Sequence, residues 1–273
     1  LQCRPPTEQA GAREVEWGPG KPPAFTQPEL TDSEPLLRRP FSLGGRRDGP
    51  GGTDLDIIYR AVGTGTRWLL RARIGEPISV LGPLGNAFGV RPDRRWAAVV
   101  GGGVGIPPML YLAERLAAEG KQVVAFAGSR TAGLLPLTLV PGTPPSERAD
   151  PTACTAEFNA SGARAVLATD DGSLGVAGYV HEALAAWLTH SGVPDGDLAV
   201  YACGPEPMMR AAAAVCLARD IPCELAMERH MACGMGTCQS CIVRIREDSE
   251  AGWAYRLCCT DGPVFQAGDV MWE

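Results

Sequence analysis

A run of closely spaced cysteines near the C-terminus constrains this chain more than any other feature. Cys233, Cys238 and Cys241 stand in MACGMGTCQSC, and Cys258 and Cys259 follow in RLCCTDGPVF. The spacing CxxxxCxxC followed by one distant cysteine is that of the ligands of a plant-type [2Fe-2S] cluster. The residues alone leave the fourth ligand open between Cys258 and Cys259. One-electron chemistry is therefore the first function to test.

The glycines inside the run fit the same interpretation. Three thiolates can come from one short loop only if its backbone folds tightly, and Gly234 and Gly236 supply that freedom. The alternative is a structural zinc site, but such sites usually pair CxxC with a second CxxC or with histidines. The pattern favours iron and sulfur over zinc.

Length, composition and charge limit the remaining possibilities. The chain has 273 residues, 45% of them hydrophobic, so we expect two or three globular modules. The net charge of −6 argues against a nucleic-acid or anionic-membrane partner. No apolar stretch reaches the ~20 residues of a membrane span, and no signal sequence is evident. We expect a soluble, cytoplasmic protein whose cysteines bind metal or remain free thiols.

The chain divides into three predicted units. In residues 1–91, a Pro- and Gly-rich loop at 5–35 precedes short apolar runs at 56–60, 68–71 and 78–81, which predict a small antiparallel barrel. In residues 92–222, apolar runs alternate with helical periodicity, which predicts a parallel-sheet α/β domain. The predicted strands are 96–100, 122–127, 165–169 and 198–203.

Two further predictions concern the rest of the chain. Residues 141–162, rich in Pro, Thr, Ser and Ala, predict a surface insertion. Residues 223–273 hold the cysteine loop and a hairpin strand at 242–246, and this unit is too small to fold on core burial alone. We therefore expect a bound cluster to hold the third unit together.

Two glycine turns follow predicted strands of the α/β domain. In such turns backbone amides and a helix N-terminus can approach a pyrophosphate closely. The alternative is that the glycines only let a helix pack on a strand, and for the first turn the residues favour neither reading. A third turn, 169–173, offers Asp170 and Asp171 to a ribose or is merely a solvated turn. The glycine turns contain Gly101, Gly102, Gly103 and Gly105, and Cys203, Gly204 and Pro205.

The barrel segment carries its own candidate site. In RRPFS an extended backbone sets Arg39 and Ser42 about 10 Å apart, a span suited to a dinucleotide with its phosphate at the guanidinium. Tyr59 and Arg60 and the turn at 63–66 add a second arginine and a possible amide nest for phosphate.

Together these motifs resemble the electron-transfer subunit of the NAD-dependent (class B) dihydroorotate dehydrogenases, in the ferredoxin reductase superfamily. The resemblance covers about residues 37–273 and is carried by RRPFS, YRAVGTGT, VLGPLGN, VVGGGVGIPPML, ATDDGS, YACGPEPMM and MACGMGTCQSC…CCTDGPVF. It implies a multi-domain β plus α/β fold: an antiparallel FAD-binding barrel, here lacking its first strands, a parallel-sheet NAD-binding domain and a small [2Fe-2S] domain. FAD affinity would suffer if those strands are not supplied.

The resemblance also assigns residues, motif by motif. It implies that FAD contacts Arg39, Pro40, Phe41, Ser42, Ile58, Tyr59, Arg60, Gly65 and Thr66. It implies that both glycine turns bind the nicotinamide nucleotide and that the fourth cluster ligand is Cys259, two residues before the Asp of DGPVF.

The function implied is electron transfer in pyrimidine biosynthesis. Electrons from dihydroorotate reach FMN on a separate catalytic subunit, in a heterotetramer of two copies of each chain, and pass through the [2Fe-2S] cluster and FAD to NAD⁺. No catalytic side chain is expected here. One alternative is the NAD(P)H-oxidising flavin and iron–sulfur subunit of a sulfhydrogenase or of a ferredoxin:NADP oxidoreductase. Another is a zinc-binding module without enzymatic activity.

Overall fold

The computed structural model describes residues 37–272, and the predictions for residues 1–36 lie outside that range. The first described unit is small. Strands β1 (Gly45–Gly49) and β2 (Gly52–Asp56) form an antiparallel hairpin, and helix α1 spans Thr64–Arg71. The strands expected at 68–71 and 78–81 are therefore wrong.

Both errors have local causes. In the first run, Thr66 Oγ1 accepts the backbone N–H of Gly63 at 3.0 Å, which caps a helix whose Leu69 is buried. The second run lies between Pro77 and Pro83, whose nitrogens have no hydrogen to donate to a ladder. The strand expected at 56–60 keeps only Asp56, the last residue of β2.

The centre of the chain is a seven-stranded sheet in the order β11-β8-β7-β3-β4-β5-β6. All four predicted parallel strands are present, with bounds that differ by at most two residues. Short apolar runs buried on both sides are typical of such strands. The strands are β3 (Trp96–Gly102), β4 (Gln122–Ser129), β5 (Arg164–Thr169), β6 (Val176–Ala177), β7 (Leu198–Cys203), β8 (Cys223–Ala226) and the antiparallel edge strand β11 (Val264–Gln266).

Helices cover the two faces of this sheet. On one face α2 (Ile106–Ala118) and α3 (Ala156–Ala160) share an apolar cluster with Ala97 and Val99 of β3. On the other face α4 (Val180–His190) and α5 (Glu206–Leu217) share a second cluster with Ala98 and Val100 of β3. Segment 141–162 is not simply a surface insertion. It contains α3, whose Phe158 is only 1% exposed, because this aromatic side chain closes the core beside α2.

The C-terminal unit shares the sheet and the core of the α/β domain. Strands β9 (Ile242–Arg246) and β10 (Trp253–Leu257) form the predicted hairpin, while β8 and β11 complete the large sheet. Val243 and Ile245 lie in the same apolar cluster as α4 and α5. The expectation that only a cluster could hold this unit together is therefore wrong. The division at 222 and 223 remains a prediction.

Within residues 37–272, no helix is both long enough and apolar enough to cross a bilayer.

Candidate flavin, nicotinamide and iron–sulfur sites

The cysteine run forms a tight irregular loop between β8 and β9. Gly234 (φ +73°) and Gly236 (φ +84°) adopt left-handed conformations, as does Gln239 (φ +54°). The backbone N–H groups at 235 and 238 both point at Cys233 Sγ at 3.4 Å. N–H groups directed at a sulfur stabilise a thiolate, which is the form that binds a metal.

The distant cysteines meet this loop from the other side. Cys241 Sγ lies 3.3 Å from Cys259 Sγ, and Cys238 Sγ lies 3.2 Å from Ser240 Oγ. Cys258 is fully buried, its backbone N–H donates to the Cys241 carbonyl at 2.9 Å, and burial raises its pKa to about 12. Its neighbour Cys259 is therefore the member of the pair that faces the loop.

The chemistry of the donor set fits a [2Fe-2S] cluster. Four thiols and convergent backbone N–H groups are the chemistry that such a cluster needs. The structure brings Cys241 and Cys259 together and joins Cys233 to the Cys238 backbone. Across residues 37–272, no three His, Cys, Asp or Glu side chains stand close enough to form a metal site by themselves.

The candidate flavin residues converge from three separate motifs. Phe41 of RRPFS stacks edge-on against Tyr59, with ring centroids 6.0 Å apart. Arg39 lies across the N-terminal end of α1, where a Cβ added to Gly65 would fall 2.9 Å from Arg39 Cγ. An arginine beside a helix N-terminus suits a pyrophosphate, and an aromatic pair with one exposed ring suits a planar ring system.

The other candidate flavin residues flank these contacts. Ile58 is 40% exposed beside Tyr59, and Thr66 contributes its hydroxyl to the cap of α1 rather than to solvent. Pro40, Ser42 and Arg60 lie at the surface of the same unit. The residues present therefore fit a dinucleotide such as FAD.

The two glycine turns of the α/β domain lie side by side at the carboxyl edge of the sheet. A Cβ added to Gly105 would collide with the Cys203 carbonyl, and one added to Gly102 would meet Met208 Sδ. Gly204 (φ +153°) lies so close that its Cβ would be 3.0 Å from the Gly102 nitrogen. Tight packing thus explains these glycines, as it does Gly101, whose Cβ would be 2.8 Å from Ile106 Cα.

Gly103 is different from its neighbours. It has a left-handed φ of +54°, and a Cβ there would meet nothing within 4 Å. A left-handed glycine that faces open space at the start of a helix is suited to close approach by a phosphate. Pro205 caps the next helix at the same edge, so both turns lie at the carboxyl edge of the sheet, where ligands of open parallel sheets bind.

The surroundings of Asp171 and Cys203, two groups near this edge, shift the pKa of each. Asp171 Oδ1 accepts the Ser173 hydroxyl at 2.6 Å and the Ser173 N–H at 3.0 Å, and these bonds lower the pKa of Asp171. Burial and the nearby Glu228 raise the pKa of Cys203 to about 12, so its thiol is neutral. Asp171 therefore stabilises its own turn, and its contact with a ribose remains a prediction.

Two polar residues not predicted as functional join the flavin unit to the C-terminal unit. Asn86, within VLGPLGN, bonds to the backbone around Val264, and Glu224 accepts the Gly89 N–H at 2.9 Å. In the sequence, Asn86 is marked only as an amide side chain that follows two glycines and a proline.

Comparison with known proteins agrees with this geometry. A family model described as the iron-sulfur cluster binding domain of dihydroorotate dehydrogenase B matches residues 228–271. The dihydroorotate dehydrogenase B (NAD(+)) electron transfer subunit of Bacillus caldolyticus is 39% identical over 241 residues, which cover 88% of this chain and 82% of that protein. That of Geobacillus sp. (strain WCH70) is 36% identical over 253 residues, 92% of this chain and 86% of its own.

A solved structure shows the same fold at lower identity. The NADH-dependent reduced ferredoxin-NADP oxidoreductase superposes with a TM-score of 0.68 at 24% identity, over 86% of this chain and 75% of that one. The fold is that of the ferredoxin reductase-like proteins, with an iron–sulfur cluster binding domain at its C-terminal end. Within that class, the chain belongs to the family of electron transfer subunits of dihydroorotate dehydrogenase B (NAD(+)). The predicted family, fold class and enzyme class are confirmed.

Proposed function

We propose that this chain is the electron-transfer subunit of an NAD-dependent dihydroorotate dehydrogenase. When bound, FAD and a [2Fe-2S] cluster would supply its chemistry: electrons would pass from the FMN of a catalytic subunit to NAD⁺, with two single electrons and a proton combined at FAD into one hydride. The reaction belongs to pyrimidine biosynthesis. The alternative as a zinc module is disfavoured by the chain's family membership.

The observation that carries the proposal is the meeting of Cys241 and Cys259 at 3.3 Å within a chain of this family. The pair joins a C-terminal turn to the loop that holds the other two cysteines. We assign the cluster to Cys233, Cys238, Cys241 and Cys259 on this ground. Cys258 and Cys259 both pack into the core, and it is the Cys259 sulfur that meets Cys241.

The remaining assignments follow the contacts. The FAD pyrophosphate would be held by Arg39 and the start of α1, and its ring system would lie at the Phe41 and Tyr59 pair. The nicotinamide nucleotide would enter where Gly103 leaves open space beside Gly204. None of these side chains has to transfer a proton, so their work is to bind and to orient the cofactors.

We also propose a quaternary and cellular context. The name of the family implies a separate catalytic subunit, and we propose that it contains FMN and forms a heterotetramer of two copies of each chain. A cytoplasmic location suits a protein whose cysteines must stay reduced. The units 1–91, 92–222 and 223–273 are proposed as the FAD, NAD and cluster domains.

Co-expression with the catalytic subunit tests this function. The purified complex is expected to form NADH from NAD⁺ when dihydroorotate is added. With Cys259→Ser, dihydroorotate should still reduce an artificial acceptor at the catalytic subunit, while NADH formation should stop. Undiminished NADH formation in that variant, or failure of the two chains to copurify, would refute the proposal. Reduction of NAD⁺ by hydrogen or by ferredoxin alone would favour the related reductases.

A further inference from the structure

Residues 84–91 lead from the flavin unit towards β3 and have no regular structure. The side chain of Asn86 fixes the first part of this segment to the C-terminal unit. Asn86 Nδ2 donates to the Val264 carbonyl at 2.9 Å and to the Asp261 carbonyl at 3.0 Å, and Oδ1 accepts the Val264 N–H at 2.9 Å. The backbone N–H of Asn86 also donates to the Gly262 carbonyl at 2.6 Å. The side-chain amide thus engages both backbone groups of Val264, as a neighbouring strand would.

This contact reaches both halves of the cysteine set. Val264 follows the turn that carries Cys259, and that turn is closed by the Leu257 N–H donating to Asp261 Oδ2 at 2.7 Å. On the other side, a Cβ added to Gly234, the residue after Cys233, would lie 3.2 Å from Leu84 Cδ1. A shift of residues 84–91 would therefore change their position relative to both the turn that carries Cys259 and the loop that carries Cys233.

The far end of the segment has an independent anchor. Glu224, only 6% exposed, accepts N–H groups from Gly89 at 2.9 Å and from Gln266 Nε2 at 3.0 Å. The Tyr201 hydroxyl donates to the Gly89 carbonyl at 3.0 Å. Because this end remains attached to the sheet, a change at Asn86 should release only the part of the segment nearest the cysteines.

The segment is also tied to the candidate flavin site. Arg38 Nη2 donates to Ser79 Oγ at 2.9 Å, and Arg38 directly precedes Arg39, which lies over the N-terminal end of α1. One path from the proposed pyrophosphate site to the cysteine turn therefore runs through the Arg38–Ser79 bond, the chain from Ser79 to Asn86 and the Asn86 bonds.

We propose that Asn86 is a positioning residue that sets the separation between the flavin unit and the cysteine loop, and so the rate at which electrons pass between FAD and the cluster. The inference rests on the proposed function. Transfer between two held redox groups depends on their separation, and small errors in positioning reactive groups are costly. Asn86 touches neither cofactor in this assignment and acts only through the backbone it holds.

Two variants and a matched control test this inference. Asn86→Asp has the same shape and keeps an acceptor for Val264, but it turns a carboxylate toward two carbonyls. Asn86→Ala removes all the side-chain bonds. The control is Asn159→Ala, which removes a hydrogen bond of the same kind: Asn159 Nδ2 donates to the Ala153 carbonyl at 2.8 Å. Asn159 lies in α3, which packs on the other face of the large sheet from the β9–β10 hairpin.

The first readout needs no bound cofactor. Amide hydrogen exchange at Val264 and in the turn before it should quicken by about tenfold or more in Asn86→Ala, because the three side-chain hydrogen bonds are lost there. Exchange in this turn should be unchanged in Asn159→Ala. A Val264 amide that exchanges equally fast in the wild type, in Asn86→Ala and in Asn159→Ala would show that Asn86 does not hold this segment.

The second readout separates two steps in the loaded protein after rapid anaerobic mixing with NADH. Flavin reduction should keep its wild-type rate in both Asn86 variants, while cluster reduction should slow by about tenfold or more. Equal slowing of both steps, or loss of FAD and iron, would show a merely structural role and overturn the inference. Wild-type rates in both steps would also overturn it. A wild-type chain in which NADH reduces flavin but never the cluster would instead refute the proposed function.

Discussion

The glycine turn after β3 makes a prediction that separates packing from ligand binding. Gly105 is buried, and a Cβ there would collide with the Cys203 carbonyl group and lie 2.6 Å from the Gly204 nitrogen. Gly103, two residues earlier, faces open space. Alanine at these two positions should therefore have different consequences, although both changes add the same single methyl group.

The magnitudes follow from what each methyl would meet. For Gly105→Ala the obstacle is backbone of the adjacent strand end, which cannot rotate away, so the turn and β7 must separate. Overpacking of this kind costs about 3 kcal/mol of the free energy of unfolding. For Gly103→Ala the obstacle is only the left-handed backbone at φ +54°, which costs about 1 kcal/mol.

Binding should show the opposite order. If the nicotinamide nucleotide approaches Gly103, a methyl there occupies its space, and NADH affinity should fall by about tenfold, equivalent to 1.4 kcal/mol. Gly105→Ala protein that remains folded should bind NADH more nearly as the wild type does, because its methyl points into β7.

Urea unfolding followed by tryptophan fluorescence measures the first effect, and titration of the flavin-loaded protein with NADH measures the second. Gly103→Ala at least as destabilised as Gly105→Ala would refute the packing argument. Unchanged NADH affinity in Gly103→Ala would refute the placement of the nucleotide at that turn.

Three further predictions concern the other sites. Cys259→Ser should lose the cluster and Cys258→Ser should keep it, as judged by iron content and absorption, and the reverse result would overturn the ligand assignment. Arg39→Ala should weaken FAD binding by about tenfold through loss of a phosphate contact. Arg46→Ala, which removes only an exposed ion pair with Asp48, should leave FAD binding unchanged. Equal FAD dissociation constants for the two variants would contradict the placement of the FAD phosphate at Arg39. Burial raises the pKa of Tyr201 from 10 to about 12, so the folded state favours the neutral phenol. The stability this gives is complete below pH 10 and is lost as the pH rises toward 12, on the order of 2 kcal/mol. In Tyr201→Phe that loss should be smaller in alkaline urea titrations, at a cost of about 1 kcal/mol at neutral pH for the missing hydrogen bond.

The α/β domain could be predicted well because its signals are local. Strands such as β4 and β7 are continuous apolar runs followed by helical periodicity, and a strand buried on both faces tolerates little else. The same reasoning failed at 68–71, because four apolar and basic residues fit a helix as readily as a strand. What decided the outcome was the cap that Thr66 provides to Gly63.

Prediction of the sites was limited by contacts between distant segments. The cysteine spacing indicated metal chemistry at once, but the choice of Cys259 over Cys258 depends on which of the two sulfurs meets Cys241. The glycine turns were ambiguous because three of the four glycines at and just beyond the end of β3 serve packing, and of these four only Gly103 is open. Asn86 was missed because its partner, Val264, is 178 residues away in sequence.

The central claim is that this chain carries FAD and a [2Fe-2S] cluster in electronic contact and accepts electrons from a nicotinamide nucleotide. The most direct test is anaerobic titration of the purified wild-type chain with NADH, followed by absorption and electron paramagnetic resonance. We expect bound flavin whose absorption bleaches on addition of NADH, about two irons per chain, and the electron paramagnetic resonance signal of a reduced cluster. A colourless zinc protein, or bound flavin and iron that NADH leaves oxidised, would contradict it.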